Sequence, residues 1–159
     1  MTRQLTELAE RAAITDLITA LFVRTDERNW PAVLLCFAPR VRFDMTSVTG
    51  GEPTEVAADE ITGAWDRSLR PLHALHHQIG NLYVDLQGDR AFATCYGMAI
   101  HYLPTRSGRN TRMFVGSYDF EVEKQSDRWR ITLFRFNLKF MDGNAELEAD
   151  AAAPQSVHV

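Results

Sequence analysis

The chain has 159 residues, 45% of them hydrophobic and 24% charged, the profile of one domain able to bury roughly two thirds of its unfolded surface. Seventeen basic against twenty-one acidic side chains leave a formal charge of -4, so the broad positive field of a nucleic-acid binder is missing. Cys36 and Cys95 lack C-x-x-C spacing, which argues against a disulfide framework and for a reducing, cytoplasmic setting. The charged N-terminal stretch is a poor secretion signal, and no run of about 18 apolar residues predicts a membrane span.

From Leu5 to Phe22, apolar residues recur at three- and four-residue spacing (Leu5, Leu8, Ala12, Ile14, Leu17, Ile18, Leu21, Phe22), which predicts an amphipathic helix. Asn29 ahead of Trp30-Pro31 is an N-cap signal for a short second helix with Val33, Leu34 and Phe37 as its buried stripe, stopping near Pro39. Val41 to Met45 reads as a short strand. A third helix is expected from Pro53 to Leu69, where Ile61, Trp65 and Leu69 fall four apart. After Pro71 the composition turns aromatic and β-branched, predicting four long strands: His76 to Leu86, Arg90 to Tyr102, Arg112 to Glu123 and Trp129 to Phe140. Short turns between them imply an antiparallel meander. Helices first and strands afterwards define an α+β fold with the helices on one face of a curved sheet. Residues 1–143 form the expected domain, and 144–159, with its alanine run Ala149 to Ala153 and then Pro154, is expected to be a flexible tail.

Candidate chemistry starts at Asp26, four residues beyond Phe22 and eight beyond Ile18. If the first helix reaches that far, a carboxylate closes its core-facing stripe, costly unless something pairs with it. Alone it reads more readily as a helix-end aspartate facing water or capping the Asn29-Trp30 turn. Of five histidines, His73, His76 and His77 cluster at the first long strand and His101 ends the second. His77 and His101 share a face if the intervening loop has an odd number of residues; an even loop separates them unless a β-bulge shifts the register. A carboxylate on the far nitrogen of His77 would fix its tautomer and raise its basicity, as proton abstraction beside a carbonyl requires. In the last strand Phe134, Phe136, Leu138 and Phe140 form one apolar face opposite Arg135, Asn137 and Lys139. Arg135 is a candidate for binding an anionic oxygen, or a surface arginine lying over the sheet. Tyr96 and Tyr118 are candidate hydroxyl donors.

Rival motifs are absent: there is no G-x-G-x-x-G, Walker A, G-x-S-x-G or H-E-x-x-H. Asp26 with His77 and His101 also has the donor types of a two-histidine, one-carboxylate metal site, ranked below acid/base work. No metal and no cofactor are expected.

Leu8-Ala-Glu-Arg-Ala-Ala-Ile-Thr-Asp-Leu17, Asp26-Glu-Arg-Asn-Trp30, His77-Gln-Ile-Gly-Asn81, Gly88-Asp-Arg-Ala91 and Asp127-Arg-Trp-Arg-Ile131 together resemble the SnoaL-like branch of the nuclear transport factor 2-like superfamily over most of residues 5 to 142. The resemblance implies a cone-shaped α+β barrel, a strongly bent, mostly antiparallel sheet wrapped by three N-terminal helices around an apolar pocket, and a homodimer or homotrimer. Within the superfamily the chain is similar to the group of scytalone dehydratase and hexachlorocyclohexane dehydrochlorinase, whose helix-1 aspartate and strand histidine, a base dyad, fall at Asp26 and His77. A second histidine of scytalone dehydratase falls close to His101. Two departures stand out: the tyrosine before the aspartate is Thr25 here, and the helix-1 lysine of the dehydrochlorinase falls at Leu21, so neither substrate carries over.

These residues lead to a cofactor-independent lyase or isomerase acting on a largely apolar cyclic small molecule, with Asp26, His77 and His101 catalytic and Tyr96, Tyr118 and Arg135 binding substrate. A polyketide-cyclase-type enzyme, a non-catalytic binding domain for hydrophobic small molecules and an assembly module using the open sheet face remain as alternatives, because a fold does not choose among chemistries. Neither nucleic acid nor membrane is an expected partner.

Overall fold

The computed structural model describes residues 2–152. Helix α1 spans Arg3–Asp26, with the Thr2 side chain accepting from the Leu5 N–H as N-cap. It therefore reaches Asp26, the condition on which a role for that carboxylate depended. Its buried stripe is Ile14, Ile18, Leu21, Phe22 and Thr25, whereas Leu5 and Leu8 are exposed. The helix is fastened to the sheet from Glu10 onward: this carboxylate accepts from Lys124 Nζ and from Trp129 Nε1, each at 2.6 Å. Hydrogen bonds from these two partners hold the Glu10 carboxyl below the usual range.

Helix α2, Trp30–Leu34, is capped by Asn29 and is shorter than expected. Phe37, assigned above to its stripe, instead opens strand β1, Phe37–Asp44. A four-residue helix α3, Thr46–Thr49, and a short strand β2, Thr54–Ala57, follow. Helix α4 then covers Ala58–Leu69, so the first part of the segment expected to be helical pairs with β1 instead, in register Arg40↔Ala57 to Phe43↔Thr54. Four residues are too few to show a period, and an edge strand satisfies backbone groups that a longer helix would have to supply by itself.

Strands β3 (Ala74–Gln87), β4 (Arg90–Tyr102), β5 (Thr111–Gln125) and β6 (Arg128–Gly143) form the expected antiparallel meander. The single sheet has the order β2-β1-β6-β5-β4-β3, with β1 parallel to β6. The helices pack on one face, where Ile14, Ile18, Leu21 and Phe22 of α1, Val33 of α2 and Ile61 of α4 join inward residues of the sheet in one core. This is the expected α+β cone with a curled, mostly antiparallel sheet.

Two of the sheet's register shifts decide which side chains face inward near the site. The β3–β4 loop is only Gly88-Asp89, an even loop, but the pairing slips between Gly80 and Tyr83, with Asn81 at φ 52°. His77 consequently stands opposite Ala99 and His101 opposite Leu75, which puts both imidazoles on one face, offset by two residues rather than directly paired. The second shift lies between Val115 and Gly116, which pair with Phe140 and Leu138. It breaks the apolar stripe expected on β6: Phe134 and Phe136 are buried at 3%, while Phe140 is 52% exposed.

The segment after β6 departs from the expected tail. Gly143, at φ 89°, turns the chain close against Thr111, where an added Cβ would meet the Thr111 oxygen at 2.3 Å. Asn144 is buried, Leu147 is fully enclosed in a second small core with Leu72 and Leu75, and Ala151 bridges Thr105. Burying one leucine contributes roughly 2 kcal/mol, enough to hold a short segment that composition alone marks as loose. The rest of the expected tail, 153–159, lies outside the described residues.

Gly97 makes room for the site. A Cβ there would fall 2.2 Å from Cε2 of Tyr118, and that ring is wedged between Phe22, Phe120 and Phe136. Gly97→Ala is expected to destabilise the protein by about 1–3 kcal/mol through overpacking, read as a lowered urea midpoint at unchanged slope. An unshifted midpoint would show that the ring can yield.

Candidate active site

Asp26 closes α1 with its carboxylate turned toward β3. There Oδ2 accepts the backbone N–H of His77 at 2.8 Å, and Oδ1 meets His77 Nδ1 at 2.6 Å. An aspartate at a helix C-terminus is opposed by the helix dipole, and two donors from one residue offset that cost. The pair is largely enclosed, with 21% of the Asp26 side chain and 12% of the His77 side chain exposed. Phe22 stacks on the imidazole at 5.5 Å between ring centroids. Because a carboxylate oxygen accepts, the nitrogen facing it is the one that carries a proton, so in the neutral imidazole the proton sits on Nδ1 and Nε2 has the free lone pair.

His77 lines a cavity of ≈ 180 Å³ together with His101, Tyr118 and Thr25. The remaining wall is mainly apolar, with Phe22, Trp65, Phe114, Phe134 and Phe136 carrying the aromatic surface. His101 packs against Phe114 and receives a hydrogen bond from Arg112 at 3.1 Å. Burial first, then the positive charge of Arg112 and the neighbouring His77, depress the His101 pKa to about 4, against smaller opposing effects of Glu148 and Asp26. Burial also pushes the phenol of Tyr118 well above its usual range, so it remains a protonated hydroxyl. Thr25 spends its hydroxyl on the Leu21 carbonyl at 2.7 Å.

The structure thus brings Asp26, His77, His101 and Tyr118 to one place. It does not bring Tyr96 or Arg135 there, and both expectations are corrected. Tyr96 is 54% exposed, with Lys139 Nζ 3.8 Å above its ring. It alternates with Cys95 and Gly97, whose side faces Tyr118, and so belongs to the outer face. Arg135 lies between the buried Phe134 and Phe136 and points away from them, into an ion pair with Asp44 at 3.0 Å and with Asp119 at 3.8 Å. Strand alternation decides both cases: a residue next in sequence to a cavity residue points to the other side. Of the other histidines, His73 packs edge-on against Tyr102. Among the described residues no group of three or more His, Cys, Asp or Glu side chains could hold a metal ion. Asp26 and His77 are bonded to each other rather than converging with His101 on a common point.

Sequence reasoning placed Trp65 only on the third helix, four residues from Ile61 and Leu69, and missed it as a cavity wall; it also missed Arg112 and Glu148. Arg112 sits directly opposite His101 in the β4–β5 register, a signal available once both strands were placed. Glu148 gave none, since it comes from the alanine-rich end of the chain.

A curled sheet closed by helices over an aromatic cavity, with an aspartate gripping a strand histidine at its wall, defines an α+β cone with an internal pocket. The SnoaL-like domain family matches residues 6–135, and the chain belongs to that family, within the nuclear transport factor 2-like superfamily. No curated protein matches the chain. Among solved structures, protein Kfla4162 from Kribbella flavida is 26% identical with a TM-score of 0.84, over 90% of this chain and 99% of that one. A Novosphingobium aromaticivorans protein proposed to be a scytalone dehydratase is 15% identical, TM-score 0.78, over 89% and 91%. The hexachlorocyclohexane dehydrochlorinase LinA-type3 from Novosphingobium barchaimii is 18% identical, TM-score 0.72, over 95% and 99%. The last two likenesses establish the shared fold. Among the described residues no helix is long and apolar enough to cross a membrane.

The depressed His101 pKa has a consequence for stability. The unfolded imidazole takes up its proton near pH 6.5 and the folded one only near 4, so folding is fully stabilised above pH 6.5 and loses stability as pH falls toward 4. The loss over that window is on the order of 3 kcal/mol. Urea titrations at pH 7 and pH 4.5 should show it in the wild type and show a smaller loss in His101→Asn. Equal losses in both proteins would place the effect elsewhere.

Proposed function

We propose that this protein is a cofactor-independent lyase or isomerase in which His77, held by Asp26, removes a carbon-bound proton from a largely apolar cyclic substrate. The observation that carries this reading is the double grip of Asp26 on His77, through the ring at 2.6 Å and the backbone at 2.8 Å, at the wall of an aromatic cavity. The carboxylate orients the ring and stabilises the imidazolium that forms when Nε2 takes the proton. Neutral His101 and the hydroxyl of Tyr118 are the donors on the same cavity. Directed at a carbonyl oxygen they stabilise the enolate left by proton removal, and directed at a β-hydroxyl they assist its departure. The weakly polar walls strengthen each of these fixed dipoles.

A cavity of ≈ 180 Å³ is close to the roughly 150 Å³ that holds benzene in an engineered protein interior. This supports a substrate with one substituted ring or a compact fused pair. Aromatic walls without a cationic side chain favour an uncharged molecule. Likeness in fold to the dehydrochlorinase and to the scytalone dehydratase candidate adds support for proton-abstraction chemistry.

Proton removal is separable from whatever follows it. In deuterium oxide, with cyclohexanone and 1-indanone as probes, the protein should catalyse exchange of the hydrogens beside the carbonyl, followed by proton NMR. His77→Ala and Asp26→Asn should each lower the protein-dependent exchange by about 10²–10⁴-fold, with unchanged circular dichroism. Binding of both probes without exchange would favour a receptor, and exchange undiminished in both variants would remove the dyad from the chemistry.

A further inference from the structure

The second histidine has its own support. Nη2 of Arg112 lies 3.1 Å from Nδ1 of His101 and 2.7 Å from Oε1 of Glu148, while Nη1 lies 2.8 Å from Oε2 of the same carboxylate. The Arg112 side chain is only 14% exposed and its guanidinium lies 5.6 Å above the Phe114 ring, the ring that also packs on His101. The Glu148 side chain is 40% exposed, but the segment that carries it is docked. Leu147 next to it is fully buried, Asn144 donates to the carbonyl of Arg109 and to Asp150, and the Ala152 N–H reaches the Pro104 carbonyl at 2.9 Å.

We infer that Arg112 is a positioning residue for His101: held by Glu148 of the C-terminal segment, it donates to Nδ1 and so confines the proton of the neutral ring to Nε2. The reason is one of donor and acceptor inventory. A guanidinium has only donors and keeps its proton at any pH a protein survives, so the ring atom facing it has to accept. Nδ1 is then bare, and a neutral imidazole carries its single proton on the other nitrogen. Placing a second proton on the ring would set an Nδ1–H against the guanidinium. Four charged or titratable groups act on this ring: Arg112 and His77 oppose its protonation, and Glu148 and Asp26 favour it. A bidentate carboxylate fixes the plane of the guanidinium, which a lone arginine in a cavity wall would not keep.

His77 and His101 thereby receive opposite tautomers. The carboxylate of Asp26 puts the proton of His77 on Nδ1 and leaves Nε2 a base; the guanidinium of Arg112 puts the proton of His101 on Nε2 and makes it a donor. The tautomer of His101 stands on geometry alone, while its use in catalysis rests on the proton transfer proposed above.

Ring-nitrogen NMR of protein carrying ¹⁵N-labelled histidine tests this without any substrate. One ring, identified by its loss in His101→Asn, should show a bare Nδ1 and a protonated Nε2 that persist from about pH 8 down to about pH 5.5. In Arg112→Met the proton should divide between both nitrogens and the ring should titrate closer to the ordinary histidine range, near 6.5. Arg112→Lys should restore part of the wild-type pattern, and Glu148→Gln should shift some of the population to Nδ1–H. A wild-type His101 with its proton on Nδ1, or an unchanged pattern in Arg112→Met, overturns the proposal, and an unchanged pattern in Glu148→Gln removes Glu148 from it. Should Arg112→Met fail to fold, the wild-type spectrum and Glu148→Gln still decide. Absence of deuterium exchange in the wild type would count against the proton-transfer reading and leave this spectrum untouched.

Discussion

The contact between the last residue of α1 and the third strand governs the rest of the site. Asp26 occupies a position where the helix dipole disfavours a negative charge and where much of its hydration is gone. Its two acceptor oxygens are satisfied by two donors of one residue, His77, one in the backbone and one in the ring. The backbone bond ties the end of the helix to the strand, and the ring bond orients the imidazole relative to both. A single N–H would allow the ring to turn. The second bond makes the position of the helix end and the orientation of the ring one variable. Phe22, one turn earlier on the helix, closes over the ring from above, so the same helix that supplies the carboxylate also supplies the apolar lid.

What surrounds this contact is a sheet whose irregularities matter as much as its regular pairing. A two-residue turn between β3 and β4 would, in an unbroken ladder, send His77 and His101 to opposite faces. The extra residue near Asn81 reverses the parity of the far half of the hairpin and returns both rings to the interior. A second slip, near Gly116, does the opposite for Phe140, releasing it from the core. Both slips lie toward the end of the sheet where the cavity is, where bulges commonly re-aim side chains. Gly97 adds a third local device, since the missing side chain is the space that the Tyr118 ring fills.

Much of this was legible in the sequence because it rests on period. The stripe from Ile14 to Phe22 ran on to Asp26, the four long strands announced themselves by composition, and parity set Phe134 and Phe136 on one apolar face of β6, which the structure turns inward. What the sequence left open depended on single residues without a period. Whether His77 and His101 share a face turned on one inserted residue, and parity by itself cannot reveal an insertion. Tyr96 and Arg135 were chosen by residue type, and strand alternation placed both outside. Leu5 and Leu8 continue the stripe of α1 although no described residue covers them, since a helical pattern does not say where the neighbouring layer ends. The segment just after Gly143 shows the converse: its alanines suggest looseness, yet Asn144 and Leu147 are buried and dock it up to the last described residue.

That docking bears on why a buried guanidinium stands beside the pocket at all. A guanidinium 14% exposed, paired with a carboxylate that keeps 40% of its surface in water, is weak ground for stability, because the cost of taking the arginine out of water can match or exceed the attraction, and a well-packed apolar residue would serve the fold as well. Arg112 has a further energetic drawback in its buried Nε–H, which has no partner among the described residues. An apolar residue opposite His101 would leave the ring free to hold its proton on either nitrogen and to gain a second one in mild acid. The guanidinium removes both freedoms, and Glu148 offsets the charge that this requires. The pair therefore acts chiefly on the protonation of its neighbour, and it links a segment outside the core of the family match to the chemistry that the cavity can carry out.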